Sequence, residues 1–81
     1  MMVMIRLSRL GMKGKPYYRI VAAEKRTPRE SRYIDLIGYY NPMGEKPEIK
    51  INLNKYNEWI QKGAIPSTTV KSLVKRVNSE N

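Results

Sequence analysis

The stretch that decides the fold runs from residue 3 to residue 23, VMIRLSRLGMKGKPYYRIVAA. Val3, Ile5 and Leu7 alternate with Met4, Arg6 and Ser8, the period-two pattern of a strand with one face turned inward. Residues 11–16 (GMKGKP) gather two glycines, two lysines and a proline, the composition of a turn. Residues 17–23 (YYRIVAA) are aromatic and β-branched, which suits a pleated, half-buried surface. The two segments are expected to pair as a hairpin across the turn.

Downstream, residues 24–32 (EKRTPRESR) are polar, charged and broken by Pro28, and read as a loop. Residues 34–40 (IDLIGYY) read as a third strand, in which Gly38 marks a bulge or a close backbone approach. A turn cluster (NPMGEKP) leads to a fourth strand over residues 48–51, with Ile49 and Ile51 inward. Asn52 can cap a helix over 53–62 with Leu53, Tyr56 and Ile60 as its apolar stripe and Trp59 at the core edge. Gly63 stops that helix and Pro66 forbids its continuation. Ser67 can cap a second helix over 68–77, where Val70, Leu73, Val74 and Val77 fall at helical spacing. Strands first and helices afterwards give an α+β expectation: a single small domain over 1–81, with an about four-stranded sheet packed by two C-terminal helices.

Charge is the strongest functional signal. Sixteen Lys and Arg stand against seven Asp and Glu in 81 residues, a net of +9 and a pI near 10.0, which speaks of polyanion partners. Residues 1–32 hold nine of the basic residues and only two of the acids, and six of the seven arginines. Arginine's planar fork matches phosphate geometry. One cluster comprises Arg6, Arg9, Lys13 and Lys15, with Tyr17 and Arg19 just beyond; the other comprises Lys25, Arg26, Arg29 and Arg32 around Pro28. Each reads as a set of phosphate contacts, the alternative being a solvated basic surface. Gly11 and Gly14 either let backbone amides approach phosphates or serve only the turn. Five of the six tyrosines lie between residues 17 and 40. Within the adjacent pairs Tyr17-Tyr18 and Tyr39-Tyr40, one ring should face the core. The other is left to stack on a base or ribose, or to snorkel.

Other classes have little support. The chain has no Cys and no His, which removes the usual zinc ligands, the commonest general base and the thiol nucleophile. Its acids are scattered. Asp35 and Glu48 could meet across strands, but neutralising charge beside Arg32 or Lys50 is the stronger reading for them. No catalytic residue, metal, cofactor or small-molecule substrate is expected. No apolar run is long enough for a membrane span and the start lacks a signal-peptide layout, so a cytoplasmic location is expected.

Residues 5–42, IRLSRLGMKGKPYYRIVAAEKRTPRESRYIDLIGYYNP, resemble the bacterial ribosomal protein sixteen family of the small subunit. The resemblance is carried by Ile5-Arg6-Leu7, Arg9 with Gly11, Lys15-Pro16, Tyr18-Arg19-Ile20-Val21, Pro28-Arg29, Arg32 and Gly38-Tyr39-Tyr40-Asn41-Pro42. Lys62-Gly63-Ala64, Pro66 and Thr69-Val70 continue it in register over nearly the whole chain. The resemblance implies a structural, non-enzymatic constituent of the cytoplasmic ribosome that binds small-subunit ribosomal RNA, neighbours other small-subunit proteins, and supports subunit assembly and translation. On that reading the RNA-binding set is Arg6, Arg9, Lys13, Lys15, Tyr17, Arg19, Lys25, Arg26, Arg29 and Arg32. Composition alone leaves two other classes open, a free-standing nucleic-acid-binding module and a metal-dependent nuclease.

Overall fold

The computed structural model describes residues 2–11, 13–26 and 33–80. Strands β1 (Val3–Leu10) and β2 (Tyr17–Glu24) form the expected antiparallel hairpin, from Val3 opposite Glu24 to Leu10 opposite Tyr17. Strand β3 (Asp35–Asn41) adds to β2, and β4 (Glu48–Ile51) adds to β3, both antiparallel. Helices α1 (Leu53–Gln61) and α2 (Thr68–Glu80) are separated by a fifth strand, β5 (Ile65–Pro66), which pairs parallel with β1. The sheet order is β4-β3-β2-β1-β5.

The fold class is therefore the expected α+β, with one strand more than the sequence suggested. Two residues are too few to show alternation, and Pro66 reads only as a helix breaker. An edge strand tolerates proline because its outward side needs no N–H donor. The connection is completed by the Ser67 N–H, which donates to the Ile5 carbonyl at 2.9 Å.

Both helices lie on one face of the sheet. Ile5, Ile20, Ala22 and Ile37 pack there against Val70, Leu73 and Ala64, with Val3, Leu7, Tyr56 and Trp59 around them. The smallest dimension of the molecule, 17 Å, corresponds to one helix layer on one sheet. In β2, Ile20, Val21, Ala22 and Ala23 are all buried, so the middle of this strand is covered on both sides, as its unbroken apolar run implies.

Local sequence explains the elements. Asn52 Oδ1 accepts from the Lys55 N–H at 3.1 Å, and Ser67 Oγ from the Val70 N–H at 3.2 Å, so both expected N-caps form. Helix α1 ends with Gly63 N–H donating to the Ile60 carbonyl and Ala64 N–H to that of Trp59, a Schellman pair. The apolar side of α1 differs from expectation at Ile60, which is exposed, whereas Tyr56 and Trp59 pack against the core as expected. The second helix runs three residues past the expected end, to Glu80.

Gly38 answers to both of its expected roles. The β2–β3 register shifts between Ile20 and Val21, leaving Ile37 as the extra residue of a bulge. A Cβ on Gly38 would lie 2.0 Å from the Lys50 carbonyl oxygen, well inside van der Waals contact. The glycine thus lets β4 close onto β3.

Candidate nucleic-acid interface

The hairpin distributes the predicted cations in three places. Arg9 is exposed next to the last residue of β1, and Lys13 and Lys15 are exposed on the turn that follows. Lys25 and Arg26 are exposed immediately after β2, at the opposite end of the same hairpin, where the Lys25 N–H donates to the Met2 carbonyl at 2.9 Å. An eight-residue strand spans about 25 Å, which is the separation of the two groups. Between them, Arg6 and Arg19 project from the sheet face that carries no helix, both half-buried. Arg29 and Arg32, with Pro28, lie outside the described residues.

The turn is shaped by Gly11. Its φ is +91°, and a Cβ there would lie 2.6 Å from the Lys15 carbonyl oxygen. The turn itself therefore requires glycine at this position, whatever its amides touch.

The tyrosines separate as the period of a strand demands. Tyr18 and Tyr40 share the helix side, with ring centroids 5.9 Å apart and planes at 22°. Tyr17 and Tyr39 share the other side, 5.9 Å apart at 43°. Arg19 Cζ sits 5.9 Å from the centroid of Tyr33, within cation–π range. Arg19 Nε is buried and has no hydrogen-bond partner among the described residues.

Asp35 has neighbours on α1 that the sequence did not suggest, while Arg32, one of its expected partners, lies outside the described residues. Its carboxylate accepts from Trp59 Nε1 at 3.0 Å and pairs with Lys55 Nζ at 3.1 Å, both on α1. The Trp59 N–H holds the carboxyl below its ordinary 3.8; partial burial opposes this, and Lys55 adds to the lowering. Asp35 is thus a clamp between sheet and helix. Glu48 faces the other side of the sheet and pairs with Lys50 at 3.4 Å. The two acids do not converge, and among the described residues no group of three His, Cys, Asp or Glu could hold a metal ion. Burial pushes the Tyr56 hydroxyl above its ordinary 10.0. No helix, among the described residues, is long and apolar enough to cross a membrane.

Two residues of the helix-free face are not legible as site members in the sequence. There Tyr39 is one of an undecided pair, and Lys50 only a neighbour for acids. The register Arg19–Tyr39–Lys50 across β2, β3 and β4 places them together, and no local pattern reveals that register.

These features define a small, basic α+β protein that presents cations from the ends and one face of a rigid sheet. Residues 9–67 match the family model for ribosomal protein S16. The chain is 55% identical over 76 residues to the small ribosomal subunit protein bS16 of Caldanaerobacter subterraneus subsp. tengcongensis, covering 94% of this chain and 93% of that one. It is 50% identical over 78 residues to the bS16 proteins of Borrelia duttonii and Thermodesulfovibrio yellowstonii, covering 96% of this chain and 94% and 100% of theirs. The chain belongs to the ribosomal protein S16 family, that of the small-subunit protein bS16, a structural and non-enzymatic family of the bacterial ribosome.

Proposed function

We propose that the protein is a fixed part of the small ribosomal subunit that binds its ribosomal RNA and supports assembly and translation, acting as one 81-residue domain. The residues assigned to RNA are Arg6, Arg9, Lys13, Lys15, Tyr17, Arg19, Lys25 and Arg26, with Arg29 and Arg32 completing the second cluster. The observation that carries this reading is the placement of Arg9, Lys13 and Lys15 at one end of the β1–β2 hairpin and Lys25 and Arg26 at the other. Among the described residues none of these five forms an ion pair, so their charge faces outward.

Two groups about 25 Å apart on a rigid hairpin can hold two RNA segments at a set distance. Any ligand that binds a folded state alone stabilises that state, so such a clamp favours the assembled RNA without chemistry. Neighbouring small-subunit proteins would meet the surfaces that RNA leaves uncovered. The test is reconstitution of the small subunit with wild type, with Lys13→Ala/Lys15→Ala, and with Lys25→Ala/Arg26→Ala, followed by sedimentation and RNA protection. Each variant should bind RNA loosely at low salt yet slow or block assembly. Full and equally fast assembly by either variant overturns the two-clamp reading.

A further inference from the structure

The helix-free face carries an organised row that the two end clusters do not use. Ser8, Arg19, Tyr39 and Lys50 lie directly opposite one another on four neighbouring strands. Directly opposed residues point to the same side of a sheet, so the row is a strip in which an aromatic ring separates two cations. Tyr17 packs against Tyr39 from along the strip, and Tyr33 lies over Arg19. Tyr39 is 36% exposed and Tyr33 38%, large rings left in solvent on a sheet face. Arg19 Nε, meanwhile, is buried without a partner among the described residues, a state that costs stability.

We propose that this strip is a binding platform for an unpaired RNA segment, with one base stacked on Tyr39 and the phosphates on its two sides held by Arg19 and Lys50. The proposal rests on the RNA-binding role above and names the form of RNA that this face takes. Bases in a duplex are hidden in their own stack, so a flat ring on a sheet can receive only an unpaired one. Arg19 and Lys50 sit two strand spacings apart, about 10 Å, on either side of the ring. Charge favours the same ligand. The strand residues of this face include Arg6, Arg19 and Lys50, against Glu48 as the acid among those described. Glu48 pairs with Lys50 at 3.4 Å while both side chains remain mostly in solvent, 62% and 74%. The pair is weak, and RNA must displace it, so Glu48 acts as an internal competitor for the lysine.

The experiment compares binding of unstructured oligouridine and of a fully paired RNA hairpin to the whole protein, by fluorescence anisotropy at one salt concentration. Tyr39→Leu should weaken oligouridine binding about tenfold, within the range measured for loss of one stacked base, and leave hairpin binding unchanged within about twofold. Tyr39→Phe, which keeps the ring, should bind oligouridine as wild type does. Glu48→Gln should strengthen it by about twofold. A parallel measurement needs no variant. Oligouridine should protect Tyr39 from nitration in the wild-type protein, while Tyr18 and Tyr40 on the opposite face keep their reactivity. The platform is overturned if Tyr39 stays unprotected, if Tyr39→Leu binds oligouridine normally, or if it loses both RNAs equally. Failure of the wild type to bind either RNA would instead remove the RNA-binding role, and the platform with it.

Discussion

On the helix-covered side of the sheet, Ile5, Ile20, Ala22 and Ile37 are sealed by Val70 and Leu73, and the polar cluster there is closed on itself, with Asp35 held by Lys55 and Trp59. On the other side the same strands carry Arg6, Tyr17, Arg19, Tyr39 and Lys50, half-buried or in solvent, and Arg19 Nε is without a partner among the described residues. Alternate residues of one strand thus divide two tasks. Val3, Ile5 and Leu7 of β1 face the core, and the even-numbered residues of the strand face the helix-free side. Stability and binding should accordingly be separable by single substitutions.

The largest effect should come from the sealed side. Val70→Asp places an unpaired charge at a fully buried position and should cost more than about 4 kcal/mol. That is a large share of the stability of a domain this small, and thermal melting should show an unfolded or barely folded chain. A cooperative transition near the wild-type temperature would refute the assignment of α2 as the lid of the core.

A smaller effect should attend the polar clamp between the layers. The folded carboxyl of Asp35 titrates below its ordinary 3.8. Its contribution to stability is therefore complete above that pH and is lost as pH falls through the lower folded value. Asp35→Asn should lower stability at neutral pH by about 1 kcal/mol, the worth of a hydrogen bond to a charged group with partial exposure. It should also flatten the acid limb of the stability profile measured by denaturant unfolding between pH 2 and pH 6. An unchanged acid limb would mean that another carboxylate governs it.

The smallest effect on stability, and a clear one on binding, is expected at the exposed turn. Lys13→Ala/Lys15→Ala should shift unfolding free energy by less than about 0.5 kcal/mol. The same pair should reduce the log–log dependence of RNA affinity on salt by about 0.7 to 0.9 for each phosphate that the protein ceases to neutralise. A melting shift of several degrees with an unchanged salt slope would move these lysines from the binding side of the comparison to the folding side.

Where a feature depends on near neighbours, the sequence carries it. The alternation of Val3, Ile5 and Leu7, the caps at Asn52 and Ser67, the stop at Gly63 and the spacing of Val70, Leu73 and Val74 all emerge as read. Features that depend on distant pairing do not. Strand β5 exists only because β1 offers it an edge. Asp35 meets Lys55 and Trp59, which are 20 and 24 residues away, because α1 returns across the start of β3. Lys50 joins Tyr39 and Arg19 only through a register set partly by the bulge at Ile37. The basic ends of the hairpin are legible because composition marks them, and their opposition in space follows from the hairpin itself.

The short parallel pair of β1 with β5 also has a consequence for how the chain acquires its shape. The β1–β2 hairpin closes over the short connection at residues 11–16, but Met4 meets Ile65 only after some sixty further residues have been made. Closing so long a loop costs more entropy than closing a hairpin, and contacts of this separation slow folding. A ribosome making this protein therefore releases an early hairpin whose outer edge, with its unpaired amides and carbonyls, stays open to other strands. Those two late residues act as a latch: truncation before Ile65 should leave a hairpin and sheet that recruit further copies of themselves, whereas chains extending past Ser67 close the edge on their own.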